Sequence, residues 1–300
     1  MIARAHISML PRACASRLLA GFAGLLAIMP LSTQAQTLQG SPAPLRVASL
    51  GPSPCLFSGA QASLPVLISN STEHIFDSEV RLRIYQTTEA IAAVHQDKIW
   101  KKLRVSPGQT VLESLTVDIP AVKAETRFLV QFLAGTNTVL GTVDLRAFPT
   151  NLLQELQVLA DNTPIGVLDS ENIIQPTLST SGLQLADLEV TGFNSFTGRL
   201  AIIGPFPAAK DIPRDFLARV KALAKRGTGI VWIQPSPSKN DPPEPSFFSM
   251  SEGRGQIVVV QAGLVSKLGL DPQSQLNLVY FCRLALRPHS LQLPGSIPNS

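Results

Sequence analysis

The sequence predicts an all-β sandwich of two packed antiparallel sheets, followed by a three-layer α/β domain with a mainly parallel sheet. Three observations lead there. From Leu45 to Phe148 apolar residues recur at every second position, in short runs broken by turn residues. Past Pro149 and Thr150 the apolar period lengthens to about 3.6, the helical value. Beyond that, continuous apolar runs flank an amphipathic helix, as expected for strands covered on both faces.

Residues 1–35 have the three-part layout of a secretory signal. Arg4, Arg12 and Arg17 form the positive start, Leu18 to Met29 the apolar core, and Ser32 to Ala35 a small-residue cleavage site. The competing reading is a membrane anchor, but the apolar run is shorter than the roughly 20 residues that span a bilayer. The expectation is therefore an exported protein, periplasmic or extracellular, with no transmembrane segment after cleavage. The signal holds three of the chain's 25 basic residues and none of its 21 acidic ones, which leaves 22 against 21. A nearly neutral chain with no Lys/Arg run lacks the electrostatic footprint of a nucleic-acid binder, so that class of partner is excluded.

The mature chain divides into a linker at 36–44, the sandwich at 45–149, the α/β domain at 150–288 and a flexible tail at 289–300. Two cysteines remain, Cys55 and Cys282. They can pair in an oxidising compartment; two separate buried thiols is the favoured alternative, because they fall in different expected domains and Cys282 lies in an apolar helical run.

In the first domain, Val80, Leu82 and Ile84 alternate with charged neighbours, as do Leu115, Val117 and Ile119, and Phe128, Val130 and Phe132. The turn cluster at 134–138 is placed to join two antiparallel strands. His74 and His95 are candidate metal ligands without a supporting carboxylate or thiol cluster. Trp100 and Tyr85 are candidate sugar-stacking rings that a sandwich core would instead bury. Asn70, Ser71 and Thr72 fit the glycosylation pattern.

In the second domain, Leu152, Leu153, Leu156 and Leu159 share one helical face. The clearest helix carries Phe216, Leu217, Val220, Leu223 and Ala224 as its stripe, with Pro213 at its first turn and Gly227 as its stop. Strands precede and follow it, at 199–206 and 229–234, and another lies at 255–261. A last helix opens at Asp271 and Pro272 and closes before Pro288.

Residues 45–148 resemble the immunoglobulin-like modules that accompany many exported bacterial proteins. The block from about Asn151 to Arg287 carries "AIIGPF", "DFLARVKALAKRGTGIVWIQ" and "GRGQIVVVQAG". It resembles the class I glutamine amidotransferase-like fold, in the divergent form found in exported bacterial proteins. In active members of that family a cysteine stands on the turn after a central strand, activated by a histidine and an acid. Here Pro235, Ser236, Pro237 and Ser238 follow the strand. The resemblance thus implies a scaffold without its nucleophile. Mid-helix Cys282 cannot replace it, and no Gly-x-Ser-x-Gly elbow exists. The glycines at 227–229 precede a strand, whereas a phosphate site needs them to open a helix. No cofactor and no metal are expected.

Ligands of open α/β sheets settle at the carboxyl ends of the strands. The rim so defined carries Asp169, Gly204, Gln234, Ser236, Gln261 and Gly263 as candidate ligand-binding residues, and no catalytic residue. The loop that follows the rim ends in Phe247 and Phe248, which either face a ligand or partner or cover the sheet. The expected function is non-catalytic binding or assembly, with another envelope or extracellular protein or a glycan as partner. The alternative is a hydrolase of envelope carbohydrate or peptide, in which Asp169, Asp211 or Ser236 would converge with a histidine. A third reading is carbohydrate binding by residues 37–149 alone.

Overall fold

The computed structural model describes residues 45–51, 53–207, 211–235 and 247–286, all within one compact unit, Pro42–Ser300. The expected signal, linker and tail, together with Ser236 and His289, lie outside the described residues.

Eight strands occupy the first half: β1 (Arg46–Ser49), β2 (Cys55–Phe57), β3 (Gln61–Ser69), β4 (Phe76–Thr87), β5 (Ala92–Val105), β6 (Thr110–Asp118), β7 (Thr126–Ala134) and β8 (Thr138–Phe148). They form one mixed sheet in the order β5-β4-β7-β8-β1-β3-β6, with β2 also paired to β8. The expected two-sheet sandwich is thereby corrected. Alternation specifies one buried face per strand, and a single curled sheet satisfies that demand as well as two packed sheets do. Val66, Ile68, Leu82, Ile84, Leu115 and Phe132 are fully buried in one cluster inside the curl.

Bulges produce the curl. Opposite β4, strand β5 carries His95 and Trp100 as extra residues: Ile84 faces Gln96 while Tyr85 faces Val94, and Val80 faces Lys101 while Arg81 faces Ile99. Opposite β7, Leu140 is an extra residue in β8. Each insertion bends its strand and increases the local twist. The two edge strands are brought close enough for side chains to join them: Lys101 of β5 meets Glu113 of β6 at 2.5 Å, and Lys98 meets Asp118 at 3.6 Å. On the same strand Asp97 accepts from Arg81 and from Arg83 of β4, and the Arg81 hydrogen bond in particular holds its carboxyl below the usual range.

Strand β8 is the spine. One edge pairs with β7, and the other receives β1 at Gly141 and then β2 from Arg146 to Phe148, both in parallel. Gly141 is required sterically, because a Cβ there would lie 2.1 Å from the Val47 carbonyl oxygen. Asn70 fixes the turn between β3 and β4, its amide nitrogen donating to the His74 and Val105 carbonyls and its oxygen accepting from Thr72. With 1% of its surface exposed, the folded chain does not present Asn70 as a glycan acceptor, which corrects that reading.

The second half holds a smaller sheet: β9 (Ile165–Leu168), β10 (Leu185–Asp187), β11 (Leu200–Ile203), β12 (Gly229–Gln234), β13 (Phe247–Glu252) and β14 (Gly255–Gln261). The order is β10-β9-β11-β12-β14-β13, and β13 runs antiparallel to β14. Helices α1 (Glu155–Leu159), α2 (Gln175–Thr180), α3 (Leu188–Thr191), α4 (Phe216–Lys225) and α5 (Pro272–Leu286) accompany it. The expected three-layer α/β domain is corrected as well. The links from β9 to β10 and from β10 to β11 carry helices of only six and four residues, so the protein is mostly β with few helices. The predicted first helix shrinks to a 3₁₀ turn at Leu152–Gln154 and the single turn of α1. Gly227, at φ +108°, stops α4, and Asp271 caps α5 by accepting from the Gln273 backbone N–H at 3.0 Å.

Replacing Gly141 by alanine forces β1 off β8. Urea denaturation should show a loss of about 1–3 kcal/mol or more, whereas the same change at solvent-facing Gly108 should cost less.

Candidate functional site

The predicted rim separates into two groups. At the ends of β9 and β11, where the strand order reverses, Asp169 and Gly204 are adjacent. A Cβ on Gly204 would lie 2.8 Å from Asp169 Oδ1. The Asp169 carboxylate accepts from the backbone N–H groups of Ile174 (2.6 Å) and Gln175 (2.8 Å) through Oδ2, while Oδ1 is shielded and has no partner among the described residues. Asp169 therefore holds the start of α2. At the ends of β12 and β14, Gln234 and Gln261 are register neighbours. Gly263 follows, exposed, in a 3₁₀ turn. Ser236 lies outside the described residues.

Beside the first group is a cleft of about 310 Å³ lined by Leu168, Leu188, Phe193, Phe206, Phe216 and Arg219 among others. Its floor is an aromatic stack: Phe216 meets Phe206, Trp232 and Phe193 edge-on at ring separations of 5.0–5.8 Å. Arg219 lies over Phe193 at 4.9 Å. Packing, not polar convergence, shapes this end of the sheet.

Among the described residues, the thiols and imidazoles considered for chemistry lie on different segments of the chain. Cys282 is sealed in the middle of α5, and burial pushes its thiol far above the ordinary range, so no thiolate forms there near neutral pH. Cys55, half-buried, faces Arg146 Nη2 at 3.2 Å and Gln273, and neither thiol is in a disulfide. The described histidines belong to the curled sheet: His74 is exposed before β4, and His95 meets Phe128 edge-on from β5. Among the described residues no three His, Cys, Asp or Glu side chains gather in a way that could hold a metal ion. Trp100 is not open for stacking, since one side packs on Phe132 and Lys101 lies over its ring at 4.9 Å.

Two features absent from the sequence reading are better placed to act. The first is β13. The segment read as the end of a loop opens an edge strand, and among the described residues β13 pairs only with β14. Phe247 and Phe248 are 40% and 43% exposed, and Tyr280 of α5, 52% exposed, lies 6.4 Å from Phe247. The serines in "FFSMSE" hide the strand pattern; the turn at Gly253 and Arg254, which closes a hairpin onto β14, was the available signal. The second is a cleft of about 420 Å³ where the curled sheet meets α2 and the start of α5. It is lined by Phe57, Thr150, Pro176, Thr177, Thr180, Ser181, Gly269 and Gln275. Its four segments are far apart in sequence, so no local pattern announces it.

No family model matches the chain, and no curated protein does. Solved structures resemble it only remotely. A β-glucosidase from Listeria innocua matches at 10% identity with a TM-score of 0.27, over 35% of this chain and 16% of the enzyme. The sporulation control protein Spo0M from Bacillus subtilis matches at 11% and 0.28, over 39% of this chain and 55% of that one. A Niemann-Pick type C2 protein from the Japanese carpenter ant matches at 10% and 0.27, over 35% and 89%. The chain thus spans less than a fifth of the glucosidase. Likeness at this level carries no argument about fold or activity, and it lends no support to the immunoglobulin-like or amidotransferase-like resemblance. Among the described residues no helix is long and apolar enough to cross a membrane.

Two outcomes test these assignments. In protein prepared without residues 1–35, which hold Cys14, a thiol reagent at neutral pH should modify Cys55 readily and reach Cys282 only after denaturation, so the native form shows one fast thiol and the unfolded form two. Asp169→Ala, which removes the acceptor at the start of α2, should lower stability by about 1 kcal/mol in chemical denaturation.

Proposed function

We propose that this is an exported, non-catalytic binding or assembly protein that captures an extended segment of another envelope or extracellular protein along β13. One observation carries the reading: a sheet edge that has no strand beyond it among the described residues, flanked by exposed aromatic rings. An unpaired strand edge is a row of backbone donors and acceptors that an added strand satisfies. Phe247 and Phe248 alternate to opposite faces of the sheet, so each side of an incoming strand meets one ring. Met250, half-buried against the core beneath α4, anchors the middle of β13, while Phe247 rests on Phe281 at 5.3 Å. The strand is therefore held in shape before a partner arrives, which lowers the ordering cost of docking. β13 contains no proline or lysine, two residues that commonly blunt such edges. Export is supported by the signal-like pattern of residues 1–35.

The test is native purification with identification of what stays bound, in parallel with Phe248→Asp. The expected result is a copurifying polypeptide that slows amide exchange at 247–252 and is retained at least about tenfold less well by the variant. Hydrolysis of an ester, amide or glycoside by the pure protein, abolished by a single rim substitution, overturns the non-catalytic reading.

A further inference from the structure

The cleft where the curled sheet meets α2 and the start of α5 has a composition of its own. Four of its lining residues carry hydroxyls (Thr150, Thr177, Thr180 and Ser181), Phe57 and Pro176 supply apolar rings, and none of the eight is charged. The hydroxyls are arranged by α2. Thr180 donates to the Pro176 carbonyl and Ser181 to the Thr177 carbonyl, both at 2.8 Å. Their oxygen lone pairs remain as acceptors, and the hydroxyls of Thr150 and Thr177 stay open for either role.

Gln275 gives the cleft a built-in polar demand. It is only 5% exposed. Its amide nitrogen donates to the Leu268 carbonyl at 2.8 Å, which fixes the orientation of the amide and leaves Oε1 shielded, with no hydrogen-bond partner among the described residues. A buried acceptor without a donor is unfavourable until something donates to it. Oε1 is closed to solvent in the empty cleft, but Gln275 lines the cleft wall, so a donor reaches it once the neighbouring side chains give way.

We propose that this cleft binds a neutral polyhydroxylated ligand, a sugar of one or two rings. Its hydroxyls donate to Gln275 Oε1 and exchange hydrogen bonds with the α2 hydroxyls, while its C–H face lies on Phe57. The volume of about 420 Å³ is within the range of small-molecule sites. The lack of any charged lining group selects against uronates, phosphates and amines, which would be desolvated without a counter-charge. The site is separate from β13, and its occupancy does not depend on the docking reading.

The experiment uses the full mature chain and ligand-observed NMR with glucose, maltose, cellobiose and N-acetylglucosamine, with glucuronate and benzoate as controls. The expected result is binding of at least one neutral sugar, with glucuronate at least about tenfold weaker. Gln275→Leu should weaken binding at least about fivefold. Because loss of the Leu268 hydrogen bond could perturb the fold, two milder variants accompany it. Thr177→Val removes one hydroxyl, and Gly269→Leu fills the cleft from the opposite wall, where a Cβ meets nothing nearer than Thr177 Oγ1 at 3.6 Å. Both should reduce binding with thermal stability retained, and Phe248→Asp should leave it unchanged. The proposal is overturned if no neutral sugar binds at millimolar concentration, if Thr177→Val and Gly269→Leu bind as well as the native chain, or if glucuronate or benzoate binds as tightly as the sugars.

Discussion

The approach of β1 to β8 at Gly141 is the constraint on which the rest of the structure depends. Because the backbone of Val47 occupies the space of a side chain there, β8 can take β1 and β2 in succession on one edge while β7 occupies the other. That arrangement keeps the first eight strands in one sheet. It also delivers β2 to the end of β8, where the chain leaves for the smaller sheet. Phe57 and Thr150 arrive together at the sheet junction for this reason, and Cys55 and Arg146 meet Gln273 of α5 beside it.

What the sequence made legible was local. The strands around Val80, Leu115 and Phe128 follow from alternation, and the helix around Phe216 follows from its stripe and its glycine stop. The hairpin joining β7 to β8 was marked by its turn residues. The global arrangement was not legible, because alternation fixes which face of a strand is buried and says nothing about which strands are neighbours. The extra residues that bend the sheet, His95, Trp100 and Leu140, sit in stretches that read as ordinary strand. The parallel pairing of β1 and β2 with β8 joins segments about 90 residues apart, and the period of 3.6 near Leu156 marked a helix without revealing how short it is.

The candidate site shows the same division. The strand-end argument located Asp169 and Gly204 next to each other, yet the carboxylate is occupied with the backbone of α2, a role that only the coordinates reveal. The two surfaces with unmet capacity for interaction arise from tertiary assembly. β13 presents backbone groups that lack a neighbour among the described residues, and Gln275 holds an acceptor that its surroundings leave unanswered. Both surfaces are defined by incomplete hydrogen bonding, and the buried thiol of Cys282 belongs to neither.

The clasps between Lys101 and Glu113 and between Lys98 and Asp118 make one seam of the curled sheet unlike every other. All other neighbouring strands in that sheet are joined through the backbone, while this seam is closed by side-chain charge at partly solvated positions. Dissolved ions weaken such pairs and leave amide ladders almost untouched. Salt therefore loosens the charge clasps along this line, while the buried core that β5 and β6 share inside the curl holds the two edges together at any ionic strength.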